Sequence, residues 1–225
     1  MGYDDEHAGN RIILDIETAP IAGVAAYIEP ADAPSNYKDP AKIEEYVRAR
    51  EREQIERAAL DVDLCRVIAI GVMLPASLTP LVRLAHSEED EAGMLRNFFA
   101  LTEDASFVGF NILDFDLPVL LRRALYLGID APAISVGKYR HPRVLDLMQM
   151  LSYDGKLRYR SLAFYCRRFG IAAKDDAFDG AHVPALFAAG QFEDVIEHVR
   201  CDVLQVAGLA ARLGHWPSVK AVQPA

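Results

Sequence analysis

The 225 residues predict an α/β fold: a mixed β-sheet flanked by helices, in a single domain. Three observations lead there. Short apolar runs rich in Ile and Val recur through the first half of the chain. Longer stretches with apolar positions at helical spacing alternate with those runs and dominate the second half. The composition, 52% hydrophobic, 25% charged and 9% aromatic, excludes disordered, collagen-like and low-complexity classes. A domain of this length buries roughly 70% of its unfolded-chain surface and needs neither disulfide nor structural metal to stand.

The elements follow in order. Residues 1–10 (MGYDDEHAGN) are acidic and polar and read as a flexible N-terminus without the apolar centre of a secretory signal. RIILDIE (11–17) is a β-branched apolar run, hence a buried strand, ending at Pro20. Residues 21–40 are rich in Ala, Pro, Asp and Asn and read as loop. Residues 40–59 carry Pro40 in the first turn and dense opposite charges at helical spacing, so about 21–60 is a mostly solvent-exposed helical insertion. RVIAIGVML (66–74) and LVRLAHS (81–87) read as two more strands, a hairpin beside the first. EEDEAGMLRNFFAL (88–101) has acids in its first turn and an apolar face, a helix packed on the sheet.

SFVGFN (106–111) is a fourth strand, and 115–128 a helix with Pro118 near its start and Gly128 at its end. Residues 143–151 pass from strand to short helix. Residues 160–170 form an amphipathic helix stopped by Gly170, and 191–214 a long last helix closed by Gly214. Residues 214–225 read as a loose tail, which leaves 11–213 as the domain. Three strands, a helix, a strand, more helices and a long final helix make a ribonuclease H-like sandwich the expected topology.

Cys65, Cys166 and Cys201 are too widely spaced for a disulfide framework or a four-thiolate zinc site and read as small buried hydrophobes. No apolar run approaches the length of a membrane span, so the expectation is a soluble, cytoplasmic protein. The net charge of −9 argues against a generic nucleic-acid coat. Its distribution says more: residues 61–120 hold three basic and ten acidic side chains, residues 121–170 ten basic and three acidic. One basic block inside an acidic chain fits a protein that gathers carboxylates around cations and keeps a separate surface for a polyanion.

Asp15 and Glu17 end the first strand. Strand alternation turns both carboxylates to one side, where their repulsion is costly without a cation between them. Such oxygen donors suit Mg²⁺ or Mn²⁺. Asp114 and Asp116 follow the fourth strand at the mouth of a helix, and both compete for a place in the same crevice, with helix capping as the plain alternative. His198 and Asp202 stand one turn apart on the last helix, an imidazole beside a carboxylate, able to serve as general base near a metal-bound water.

Together Asp15-Ile16-Glu17-Thr18, the block from Gly109-Phe110-Asn111 to Phe115-Asp116, and His198 with Asp202 resemble the DEDD superfamily of 3′–5′ exonucleases. Ser35–Pro40 and the stretch from Asp61 to Gly71 add a likeness to the stand-alone predicted exonucleases related to the proofreading domain of family B DNA polymerases. The resemblance spans roughly residues 11–213. It implies a ribonuclease H-like fold and two divalent cations, Mg²⁺ or Mn²⁺, held by Asp15, Glu17, Asp116 and Asp202. His198 is the expected general base, and Thr18, Asn111 and Phe115 are expected substrate contacts. One departure stands out. The polymerase-like branch usually has Tyr four residues before the last Asp, and the other large branch His five before it. Here His198 occupies the four-residue position and Glu197 the five-residue one.

Lys138, Tyr139, Arg140, Arg143, Lys156, Arg158, Tyr159 and Arg160 interleave charge with aromatic rings, as single-strand binding surfaces do. Of these, Arg158 and Arg160 are the candidate substrate contacts. The expected activity is metal-dependent 3′–5′ exonuclease action on single-stranded DNA or frayed 3′ ends by a two-metal-ion mechanism. DNA is favoured over RNA, and proofreading would take a polymerase partner in trans. An exoribonuclease with the same site, or a catalytically weak nucleic-acid-binding module, are the alternatives.

Overall fold

β1 (Arg11–Pro20) is the middle of the molecule. In the computed structural model, which describes residues 10–137, 141–172 and 180–217, it is the central strand of a five-stranded sheet of order β3-β2-β1-β4-β5. β2 (Cys65–Met73) pairs with it antiparallel and β3 (Leu81–Leu84) extends that hairpin outward. β4 (Ser106–Gly109) and β5 (Val144–Asp146) add on the other side, both parallel to β1. A mixed sheet results, as the alternation of strand and helix predicts.

The apolar runs are nearly continuous because both faces are covered. Ile12, Leu14 and Ile16 face a cluster built with α2 (Glu88–Leu101) and α3 (Asp116–Tyr126). Ile13, Ile68 and Val108 face a second cluster built with α6 (Val183–Ala188) and α7 (Phe192–Arg212). α4 (Leu147–Ser152) and α5 (Leu162–Phe169) contribute Met150, Leu162 and Tyr165 to that second side. Seven helices flank the sheet among the described residues, and the arrangement is the ribonuclease H-like α/β fold.

α1 (Pro40–Arg57) begins with Pro40 behind an Asp39 cap, whose carboxylate accepts from Ala41 N at 3.0 Å, and buries no residue. Its charges are spent on one another, for example Arg57 with Glu53. α1 therefore stands off the core, although Val24 before it and Ala58 and Ala59 after it are buried.

The structure departs from the sequence reading at three places. α6 was not anticipated: six residues are too few to display a helical period. Trp216, in the segment expected as loose tail, is 7% exposed and packs with the second cluster, while His215 N donates to Ala210 O. Cys201 is half-buried rather than enclosed, with Sγ 3.6 Å from Glu197 Oε1. Residues 1–9 and 218–225 of the expected flanks, and Lys138, Tyr139 and Arg140 of the expected basic surface, lie outside the described residues.

Candidate functional site

Because β1, β4 and β5 are parallel, their C-terminal ends open along one edge, where an α/β sheet offers its crevice. Asp15 and Glu17 stand there on the face of β1 that looks toward α7, the face of Ile13. The pairing of β1 with β2 shifts register between Glu17 and Thr18, so the strand bends just beyond the second carboxylate.

α7 approaches this face closely because the strand opposite Asp15 carries Gly71. A Cβ there would lie 2.4 Å from Val199 Cγ1 and 2.9 Å from Val203 Cγ2. The glycine lets the helix settle on the sheet with His198 and Asp202 turned toward β1. His198 Nε2 lies 3.2 Å from Glu17 Oε1 and 3.3 Å from Asp202 Oδ2. The opposite ring nitrogen, Nδ1, is buried and has no hydrogen-bond partner among the described residues. His198 therefore faces the two carboxylates through Nε2, the ring nitrogen that has partners.

Asp116 enters from the other side of β1. It opens α3, is 5% exposed, and its Oδ1 accepts from Ile16 N at 3.1 Å, from the residue between Asp15 and Glu17. Burial pushes its carboxyl up to about 8, against the lowering effect of the backbone N–H groups; Asp146 and Glu17 raise it further. Of the competing pair, then, Asp116 turns inward, while Asp114 turns out and accepts from Gln149 Nε2 at 2.9 Å.

Asp146 does more than cap α4. Its buried carboxylate accepts from Met148 N and Gln149 N, and also from Asn111 N at 3.1 Å and Leu113 N at 3.0 Å. One side chain thus ties the end of β5 to the loop that delivers Asp116. Burial raises its pKa against those four donors. Asn111 sits in that loop at φ 68°, a left-handed conformation that asparagine tolerates better than most side chains. In sequence Asp146 reads as a cap of the short helix that follows it; its two further partners are 33 and 35 residues away.

The other expected contacts fall as follows. Phe115, half-buried, packs against the first cluster. Thr18 is buried and its hydroxyl donates to Ala59 O, which holds the end of β1 against the turn after α1. Arg158 and Arg160 are exposed. Arg143 is spent on the carbonyl oxygens of Thr102, Glu103 and Ala105. Glu17, His198 and Asp202 form the group that can hold a cation, with one donor atom from each inside 4.8 Å. Two carboxylate oxygens and an imidazole nitrogen are donors that a divalent metal ion accepts. Asp15 lies two residues before Glu17 on β1, with its Oδ2 buried, outside that three-residue group.

Residues 58–213 match the family described as predicted 3′–5′ exonuclease related to the exonuclease domain of PolB. The chain belongs to that family. It is accordingly a 3′–5′ exonuclease, a nuclease of the hydrolase class. The matched segment of this exonuclease includes Asn111, Asp116, His198 and Asp202 but starts after β1. Asp15 and Glu17 join the site through the fold, by the Ile16–Asp116 hydrogen bond and the Glu17–His198 contact. No curated protein matches the chain. Among the described residues no helix is long and apolar enough to cross a membrane.

Proposed function

We propose that this exonuclease is metal-dependent and removes nucleotides from the 3′ ends of single-stranded DNA or frayed duplexes, releasing nucleoside 5′-monophosphates. The observation that carries the reading is the convergence of Glu17, His198 and Asp202 within 4.8 Å, with Asp116 hydrogen-bonded to the same strand. Carboxylates so gathered repel one another and a phosphodiester alike, which makes cations the natural occupants of the cluster.

Asp15, Glu17, Asp116 and Asp202 would hold a pair of divalent ions, Mg²⁺ or Mn²⁺. Bound there, such ions supply positive charge against the phosphate and lower the pKa of a coordinated water. The chain's own residues do the rest. His198 orients the attacking water and takes its proton through Nε2. The water oxygen bonds to phosphorus, the bond from phosphorus to the 3′ oxygen of the preceding nucleotide breaks, and that oxygen takes up a proton. Asn111 and Phe115 line the approach to Asp116. Arg158 and Arg160 meet the backbone of the strand.

The test is cleavage of 5′-labelled single-stranded DNA and RNA of one sequence, in Mg²⁺, Mn²⁺ or EDTA, beside Asp15→Ala. A ladder shortening from the 3′ end, dependent on metal and absent in the variant, is expected with DNA cut faster than RNA. Faster cutting of RNA would turn the reading to an exoribonuclease. No cutting of either polymer would sink it in favour of a binding module.

A further inference from the structure

Beside the carboxylates, aromatic rings run in a series from the end of β4 to the start of α5. Phe110 directly precedes Asn111, and its ring lies 6.2 Å from that of Tyr165. Tyr165 meets Phe164 edge-on at 5.4 Å, and the Arg160 guanidinium carbon stands 5.0 Å over the Phe164 ring. α5 follows α7 here: Cys166 Sγ is 3.8 Å from Gln205 Oε1, one turn beyond Asp202. The inner end of the series therefore borders the site, and its outer end faces solvent, with Phe164 39% exposed.

The segment leading into α5 is shaped for display. Tyr153, Asp154 and Gly155 take successive left-handed conformations, at φ 54°, 56° and 78°. The turn is closed by Leu157 N donating to Ser152 O at 2.8 Å. Tyr159, 47% exposed, crosses it to donate to Gln149 Oε1, and Gln149 donates on to Asp114. Lys156, Arg158 and Arg160 are exposed and have no acidic partner among the described residues. Exposed rings flanked by uncompensated cations match the chemistry of a strand whose bases are unpaired. A duplex would hide the base faces the rings need.

We propose that Phe164 and Arg160, with Tyr159 and Arg158 beside them, form a track that stacks unpaired bases and pairs phosphates of the strand whose 3′ end enters the carboxylate cluster. The proposal rests on the exonuclease reading for that direction and adds how the strand is held: by base faces and backbone, without reading sequence. The track also touches the catalytic loop through Tyr159, Gln149 and Asp114.

Binding is measured by fluorescence anisotropy in Mg²⁺ on the full chain carrying Asp15→Ala, with a labelled oligothymidylate, an abasic oligomer of equal length and a duplex. Phe164→Ser should bind oligothymidylate about tenfold more weakly and the abasic oligomer unchanged. Phe164→Tyr, which keeps the ring, should restore the affinity and so exclude a folding defect. Arg160→Gln should weaken both single strands and flatten the salt dependence of log K by about 0.7. Equal binding of oligothymidylate by Phe164→Ser and the parent, or tighter binding of duplex than of single strand, would overturn the track. Cleavage by the unmodified enzyme separates the two readings. If it cuts the strand while the Phe164 variants bind normally, only the track falls. If it cuts neither polymer but the variants bind as expected, only the catalytic reading falls.

Discussion

Glu91 on α2 is fully enclosed, and its carboxyl group is held by an arginine. Arg123 on α3 meets both its oxygens, through Nε and Nη2, at 2.8 Å, and Val67 N of β2 donates to it at 2.8 Å. Three elements are joined by one carboxylate in the core beneath the sheet. Removing one partner of such a pair strands the other charge. Glu91→Ala is therefore expected to cost about 3–5 kcal/mol in urea unfolding. Replacing both partners by Leu and Met should cost less than the sum of the single changes. At the same scale, Asp146 is the side chain whose importance composition concealed. It looks like an ordinary helix cap, and two of its four acceptor contacts serve a loop far away in sequence.

Among the elements, α7 carries the heaviest functional demand, since it must press two site residues against β1. Gly71 makes that approach possible. Gly71→Ala places a methyl group where Val199 and Val203 already stand, an overpacking that should cost about 1–3 kcal/mol. Because the strain lifts α7 where His198 and Asp202 project, Mn²⁺ affinity in calorimetry should fall along with stability. Unchanged Mn²⁺ affinity in a destabilised variant would show that the helix shifts elsewhere. α2 illustrates the opposite case, an element whose local signals suffice. Ser87 and Asp90 form a reciprocal capping box at its start, and the helix runs over the residues its pattern predicts.

At the scale of the whole molecule, acidic groups gather at the open edge of the sheet while the basic block of residues 121–170 supplies α5 and the turn before it. A carboxylate cluster that forms only on folding makes metal binding a stabilising event. With Mn²⁺ at about 100 times its Kd, stability should rise by about 2.7 kcal/mol. For a chain of this size that corresponds to roughly 5–10 °C in Tm. EDTA should abolish the gain, and Asp202→Asn should reduce it. A Tm that ignores Mn²⁺ would argue against the cluster as a cation site.

Strand and helix identities could be read from the chain because periodicity and capping act within a few residues of each position. β1, β2, α2, β4, α3 and α7 all show them. The site motifs could be read for the same reason, as carboxylates at strand ends and one helical turn apart. Three things could not. α6 is shorter than the pattern that would reveal it. The choice between Asp114 and Asp116 depends on which side chain meets Ile16 N, 100 residues away. The turning of His198 Nε2 toward the site depends on Glu17 of β1, while Nδ1 lies buried. Local sequence specifies the pieces through short-range sterics and hydrogen bonding. Their meeting is set by packing on both faces of β1, and no single segment contains that information.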